Sequence, residues 1–189
     1  KEEFMKKIIY LDFDGVVVNS IKAFCDVYNN VFKEEESFVP ADWTKVNKWD
    51  LADECPLTVD IVEGVFKSDD FFEVLEFMDE DELDIINRLK EKYKIIICSI
   101  GTPENISKKT MWIKDNLGIE DMILLSQSEA LMDKSIIDMS DGIIIDDHGN
   151  NLITSNADTK ICFGEIKEWN EDWEGLMASN WKELGEMLL

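Results

Sequence analysis

The 189-residue sequence predicts an α/β fold: a doubly wound, Rossmann-like parallel sheet with a small helical segment inserted after the first strand. Three observations predict it. Several short apolar runs are continuous rather than alternating, as in strands covered on both faces. Amphipathic helical patterns separate several of these runs. About 80 residues part the first run from the second, far more than a single crossover helix needs.

The first strand is expected over Ile8–Phe13, ending in Asp12-Phe13-Asp14-Gly15. Ile21, Phe24, Cys25, Tyr28 and Phe32 then form the apolar stripe of a helix, and further helical patterns run on past Pro40 and Pro56 to Met78. This is a helical subdomain over residues 19–78, set into a core built from 1–18 and 79–189. Asp81–Tyr93 carries Leu83, Ile86, Leu89 and Tyr93 on one stripe and leads into a second strand, Lys94–Ser99. Thr102–Leu117 has a capping Thr102, Pro103 at its first helical position and Gly118 just past its end. Gly101 is assigned to the turn before it. Three more strands are expected at Met122–Leu125, Gly142–Asp146 and Lys160–Phe163. A final helix from Ser179 places Trp181, Leu184 and Leu188 on one face. The acidic stretch Glu165–Glu174 reads as a surface loop whose Trp169 and Trp173 pack down.

Composition narrows the function. Lys plus Arg number 19 and Asp plus Glu 42, a net charge of −23, while 45% of residues are apolar and 10% aromatic. That is too hydrophobic for a disordered acidic tail. The charge excludes nucleic-acid polymers and anionic membranes as partners, because both are repelled. No apolar run approaches the ~18 residues of a membrane helix, and no signal-peptide pattern precedes or follows Met5-Lys6-Lys7, which reads as a natural start. Cys25, Cys55, Cys98 and Cys162 are scattered without CxxC spacing, as for reduced core thiols. The expected compartment is the cytoplasm.

The chemistry gathers at strand ends. In an open α/β sheet, ligands bind beyond the carboxyl ends of the strands. Asp12 and Asp14 arrive there with a glycine that allows a tight turn, and Ile143-Ile144-Ile145-Asp146-Asp147 ends in the same way. Four carboxylates on one edge repel each other unless a hard divalent cation joins them, and Mg²⁺ fits an oxygen-ligand site that meets phosphate. The second strand brings Ser99, and Lys134, twelve residues before Asp146, offers a fixed positive charge. His148 is read as a loop residue rather than a general base.

This set resembles the haloacid dehalogenase (HAD) superfamily of phosphotransferases. Asp12-Phe13-Asp14-Gly15-Val16 matches its first motif, Ser99 its second, Lys134 its third and Asp146-Asp147 its fourth. The resemblance implies that Asp12 is the nucleophile and Asp14 the general acid and base. Ser99 and Lys134 would hold phosphoryl oxygens. Mg²⁺ would lie among the Asp12 carboxylate, the Asp14 backbone carbonyl and Asp146, with Asp147 orienting a metal-bound water.

The superfamily places a specificity cap where residues 19–78 lie. Asp12 to Ser20, Asn47-Lys48-Trp49-Asp50-Leu51, Phe71-Phe72-Glu73, the Trp112 helix and Asn180-Trp181-Lys182-Glu183 resemble the cytosolic 5′(3′)-deoxyribonucleotidase branch and its bacterial and phage relatives. That implies a small phosphate ester as substrate, a nucleoside monophosphate, with Trp43, Trp49, Phe71 and Phe72 as candidates to stack on its base. Each could equally pack the cap's own core. Ser20 stands where the animal enzymes carry an aromatic, which leaves base preference open. A sugar-phosphate phosphatase or phosphomutase is the rival within the superfamily. A receiver-type phosphoacceptor domain is a remoter one, because its acidic pairs come in the reverse order.

Overall fold

The computed structural model describes residues 6–55 and 58–189. Six parallel strands form one sheet, and helices cover both of its faces. In chain order the strands are β1 (Ile8–Leu11), β2 (Lys94–Gly101), β3 (Met122–Ser126), β4 (Gly142–Asp146), β5 (Thr159–Phe163) and β6 (Leu176–Ala178). Their order across the sheet is β3-β2-β1-β4-β5-β6. The chain therefore winds outward from β1 in both directions, which puts the reversal of strand order between β1 and β4.

Alternate residues of the central strands feed two cores. Ile9, Leu11, Ile97 and Ile145 pack on one face with Trp181 and Leu184 of the last helix, α8 (Trp181–Leu188). Tyr10, Cys98, Ile144 and Cys162 pack on the other with Leu152 of α7 (Gly149–Thr154). Burial on both faces is why these strands read as unbroken apolar runs.

Several boundaries differ from those read in the sequence. β1 stops at Leu11, because Asp12 and Phe13 already belong to the turn. β2 continues through Ser99 to Gly101, pairing Ser99 with Leu124 of β3. β6 is an addition. Its three residues are too short to stand out as an apolar run, and their strand character rests on pairing with β5. In α5 (Glu82–Lys92), Ile85, Ile86 and Leu89 are buried, whereas Leu83 faces outward.

Between β1 and α5 lie α1 (Ser20–Val31), a short 3₁₀ turn at Trp43–Lys45, α2 (Leu51–Glu54), α3 (Val59–Phe66) and α4 (Asp69–Glu73). Phe24, Tyr28, Val46, Leu51, Val65 and Phe71 form an apolar cluster of their own here. Two adjacent chain segments connect this helical layer to the sheet. Asn19 N–H donates to Glu76 O at 3.0 Å and Met78 N–H to Val17 O at 3.3 Å. Trp181 secures them from beneath: its indole donates to Val16 O at 2.9 Å and its backbone N–H to the Asp79 carboxylate at 2.9 Å.

Glu82 sits beside this junction and is fully buried. One carboxyl oxygen accepts from Met78 N–H at 2.8 Å and the other has no partner. Burial pushes its pKa up to about 9. The carboxyl is thus neutral in the fold near pH 7, and folding takes up a proton. This contribution is fully present below the ordinary glutamate range and is lost as pH rises towards about 9. Within that window stability should fall by up to about 1.4 kcal/mol per pH unit through this group. Glu82→Gln should flatten the slope, so that urea titrations show a growing advantage for the variant from pH 5 to 9. Parallel slopes would show that Glu82 is not the proton acceptor.

Candidate active site

The site follows from the β1–β4 register. Leu11 lies opposite Ile145, so the next residues along the two strands, Asp12 and Asp146, emerge side by side at the sheet edge. Asp12 N–H still donates to Ile145 O at 2.9 Å. The chain then turns sharply, with Gly15 N–H donating to Val18 O and both Val17 and Val18 N–H to Phe13 O. Gly15 adopts φ +71°, a left-handed conformation that glycine enters without strain. A Cβ there would also lie 2.5 Å from Oδ2 of Asp147.

Lys134 is buried and bridges the two strand ends, with Nζ 2.8 Å from Asp12 Oδ1 and 2.5 Å from Asp146 Oδ2. Burial opposes its charge, but Asp12 and Asp146 outweigh it and hold the ammonium above the usual lysine range. Asp146 also accepts from His148 N–H at 2.9 Å and from the Asn151 amide at 3.1 Å. Asp147 Oδ2 accepts from the indole N–H of Trp169 at 3.1 Å.

One carboxylate oxygen from each of Asp12, Asp146 and Asp147 falls within 4.8 Å of the others. Burial pushes Asp146 up to about 6 and Asp147 well above the carboxylate range, and the neighbouring carboxylates add to both shifts. One ammonium does not neutralise three crowded carboxylates. Hard oxygen donors at this spacing fit a divalent cation such as Mg²⁺. Asp147 therefore lies among the carboxylates that could hold it. The Asp14 side chain lies outside the cluster.

Asp14 turns instead to Lys109, a residue not singled out in the sequence. Lys109 Nζ pairs with Asp14 Oδ2, donates to Ser99 Oγ at 3.0 Å and Ile100 O at 3.2 Å, and lies 5.5 Å from the centre of the Phe13 ring. Its helix, α6 (Pro103–Leu117), buries Asn105, Lys109, Ile113 and Leu117 along one stripe. Two polar residues on an otherwise apolar stripe were the available signal, since a buried lysine needs a partner. Asn105 uses its place to donate to Phe66 O of the helical layer at 2.7 Å. The other carboxylate oxygen of Asp14 is buried without a partner.

Of these polar groups all but the fully buried Asp146 line a cavity of about 670 Å³ between the sheet edge and the helical layer, together with Trp49, Phe66, Gln127, Met132, His148 and Trp169. His148 caps α7, its Nδ1 accepting from Asn150 N–H at 3.2 Å, and burial lowers its pKa. It stands in the cavity wall as a neutral ring. Of the four aromatics proposed to meet a base, only Trp49 lines this cavity. Phe71 is fully enclosed by the helical cluster, against Phe66 and Phe72, so packing accounts for it. Phe72 borders a separate groove beside α6, and Trp43 lies outside the cavity wall.

A family model described as 5′ nucleotidase, deoxy (Pyrimidine), cytosolic type C protein matches residues 6–189. The chain belongs to this family. It is an enzyme of the phosphatase and nucleotidase class within the HAD superfamily. The fold of this nucleotidase-family protein is shared with several solved structures. A predicted phosphatase from Clostridium acetobutylicum aligns with TM-score 0.70 at 12% identity, covering 97% of this chain and 98% of that one. A haloacid dehalogenase-like hydrolase from Streptococcus pneumoniae gives 0.65 at 16% identity, covering 98% and 99%. The HAD-hydrolase YfnB of Bacillus subtilis, solved bound to magnesium, gives 0.60 at 14% identity, covering 97% and 99%. A search of curated protein sequences finds no match. Among the described residues, no helix is long and apolar enough to cross a membrane.

The Gly15 turn yields a direct check. Gly15→Ala puts a methyl group in the left-handed region and against Asp147. It should cost about 1–2 kcal/mol of stability, a fall in Tm of roughly 2–8 °C for a chain of this size. Hydrolysis of p-nitrophenyl phosphate should fall far more than this loss of folded protein explains. Activity that merely tracks the folded fraction would show that the turn does not set the carboxylate geometry.

Proposed function

We propose that this protein is a Mg²⁺-dependent phosphomonoester hydrolase of the cytoplasm that dephosphorylates (deoxy)nucleoside monophosphates through an aspartyl-phosphate on Asp12. One observation carries the reading. Asp12 is fixed by Lys134, Asp14 is fixed by Lys109, and both open onto one cavity large enough for a nucleotide, with Trp49 in its wall.

The lysine holds one oxygen of Asp12 and leaves the other to attack phosphorus in line with the ester oxygen. A proton taken up beforehand on the free oxygen of Asp14, from solvent or from a monoanionic ester, passes to the departing alkoxide as the new P–O bond forms and the ester P–O bond breaks. Water then attacks the phosphorus of the aspartyl-phosphate. Asp14 takes back the proton, and the bond to Asp12 breaks to release inorganic phosphate. Ser99, whose Oγ accepts from Lys109, supplies a hydroxyl donor for a phosphoryl oxygen, while Lys109 fixes the orientation of both Ser99 and Asp14. Asp12, Asp146 and Asp147 would hold Mg²⁺, which neutralises charge developing on the phosphoryl group. Residues 19–78 act as a cap over the core of 1–18 and 79–189, excluding water and contacting the leaving group. Net charge and the enclosed cavity both favour a small phosphate ester over a nucleic-acid polymer or a membrane.

Phosphate release from a panel of esters tests the substrate class. Deoxynucleoside monophosphates should lead, EDTA should abolish turnover, Mg²⁺ should restore it, and Asp12→Asn should form no phosphoenzyme. A preference for sugar phosphates would transfer the assignment to the sugar-phosphate branch, and full turnover after exhaustive chelation would exclude the metal.

Trp49 is 61% exposed and tests base contact with little risk to folding. Trp49→Ala should lower kcat/KM for nucleotides by about 1–3 kcal/mol, the scale of one lost stacking contact. With Mg²⁺ held at saturation for each variant, turnover of p-nitrophenyl phosphate, which has no base, should change much less. Equal losses on both substrates would reject stacking.

A further inference from the structure

We propose that the loop around Trp169 is a latch that couples docking of the helical layer to the Asp147 carboxylate, with Trp169 as a positioning residue for the metal site. This rests on the metal reading proposed above. The latch is visible as two sets of contacts made by one short loop.

On its outer side the loop grips the chain segment that leads into α2. Lys167 Nζ donates to Val46 O at 2.8 Å, and Glu168 N–H donates to Asn47 O at 3.2 Å. The Trp49 ring stands edge-on to Trp169, with centroids 5.8 Å apart, and edge-on to His148 at 4.4 Å. On its inner side the same loop holds the residue after β4. The Trp169 indole donates to Asp147 Oδ2 at 3.1 Å, and the Asn170 amide donates to Asp147 O at 3.1 Å. Trp169 O in turn accepts from Gly149 N–H at 2.9 Å, at the start of α7.

The two sides share Trp169. If the helical layer lifts away, Lys167 and Glu168 lose their backbone partners and Trp169 loses the ring packed against it. The indole N–H is then free to leave Asp147. Asp147 is crowded by Asp12 and Asp146, so an unpaired oxygen there swings easily from the position that a cation shared by all three requires. Docking of the layer should therefore tighten cation binding. By linkage, the cation must favour docking by the same factor.

Titration calorimetry of Mg²⁺ into the whole protein without substrate tests the latch, because no nucleobase is present to be stacked. Trp49→Ala touches none of the three carboxylates, yet it should weaken Mg²⁺ binding about 5-fold or more, within the usual range of allosteric coupling. Lys167→Ala removes a different contact of the same latch and should act in the same direction. Trp169→Phe keeps an aromatic ring but loses the N–H, and should weaken binding by about 10–100-fold, as for other groups that orient a metal ligand. Trp49→Ala combined with Trp169→Phe should lose less than the sum of the two effects, since both act through one contact. Circular dichroism melts confirm that each variant is folded. If the parent binds Mg²⁺ while Trp49→Ala and Lys167→Ala bind it equally well, the latch is overturned and the metal reading stands. If the parent binds no Mg²⁺, both fall together.

Discussion

Everything at the sheet edge depends on crowding carboxylates together without letting them repel each other apart. The parallel pairing of β1 and β4 delivers Asp12 and Asp146 to the same point, and Asp147 follows within reach. Unscreened, such a group would force its members to protonate or the turns to open. Lys134 meets this need by inserting one ammonium between the first two, buried so that its charge is felt at low dielectric. Lys109 does the same for Asp14 on the other side of the turn. Counted together, Asp12, Asp14, Asp146 and Asp147 carry four negative charges when ionised, against two from the lysines. The remainder is two, which is the charge of one divalent cation.

This arrangement explains how much could be read from the sequence. Residues at strand ends were legible because a strand that runs apolar and then stops at Asp is a one-dimensional signal, and β1 and β4 both show it. Lys134 was legible because it sits in a loop at a fixed distance before Asp146. Lys109 was not, because it occupies a helical stripe, and on a helix a charged residue is ordinarily read as solvent-facing. Only the closeness of Asp14, 95 positions away, turns it inward. That Trp169 packs down from its acidic loop was legible, but its partner was not: nothing in the five acidic neighbours shows that the indole reaches the Asp147 carboxylate. Phe71 erred the other way. An exposed stacking role and a core role need the same residue type, and its burial follows from a neighbourhood of Phe24, Phe66 and Phe72 that sequence distance does not reveal.

The helical layer shows a division of labour between its inside and its edge. Inside, Phe24, Tyr28, Val65 and Phe71 form a small core that makes the layer self-supporting. Its edge is left to contacts of modest individual strength: two backbone carbonyls held by the Lys167–Glu168 loop, the Asn105 amide on Phe66 O, and the exposed ring of Trp49. Each such bond contributes about 0.5–1.5 kcal/mol net. The latch proposed above needs a layer held together within itself and only weakly at its rim, and the two chain segments that Trp181 ties down are where such a layer stays joined to the sheet.

The overall charge of −23 sets the last constraint. A phosphate dianion approaching from solvent meets repulsion over a Debye length of about 8 Å at physiological salt. Attraction must therefore be short-ranged and enclosed, which is where buried charges are strongest. Lys109 and Lys134 are both about 1% exposed, so neither advertises positive charge to the surroundings. They act only on a group that has already entered the cavity beneath the helical layer. With these two cations buried at the floor of the pocket, the proposed small ester meets their charge only once its phosphate is inside, a position that an extended polyanion would reach less readily.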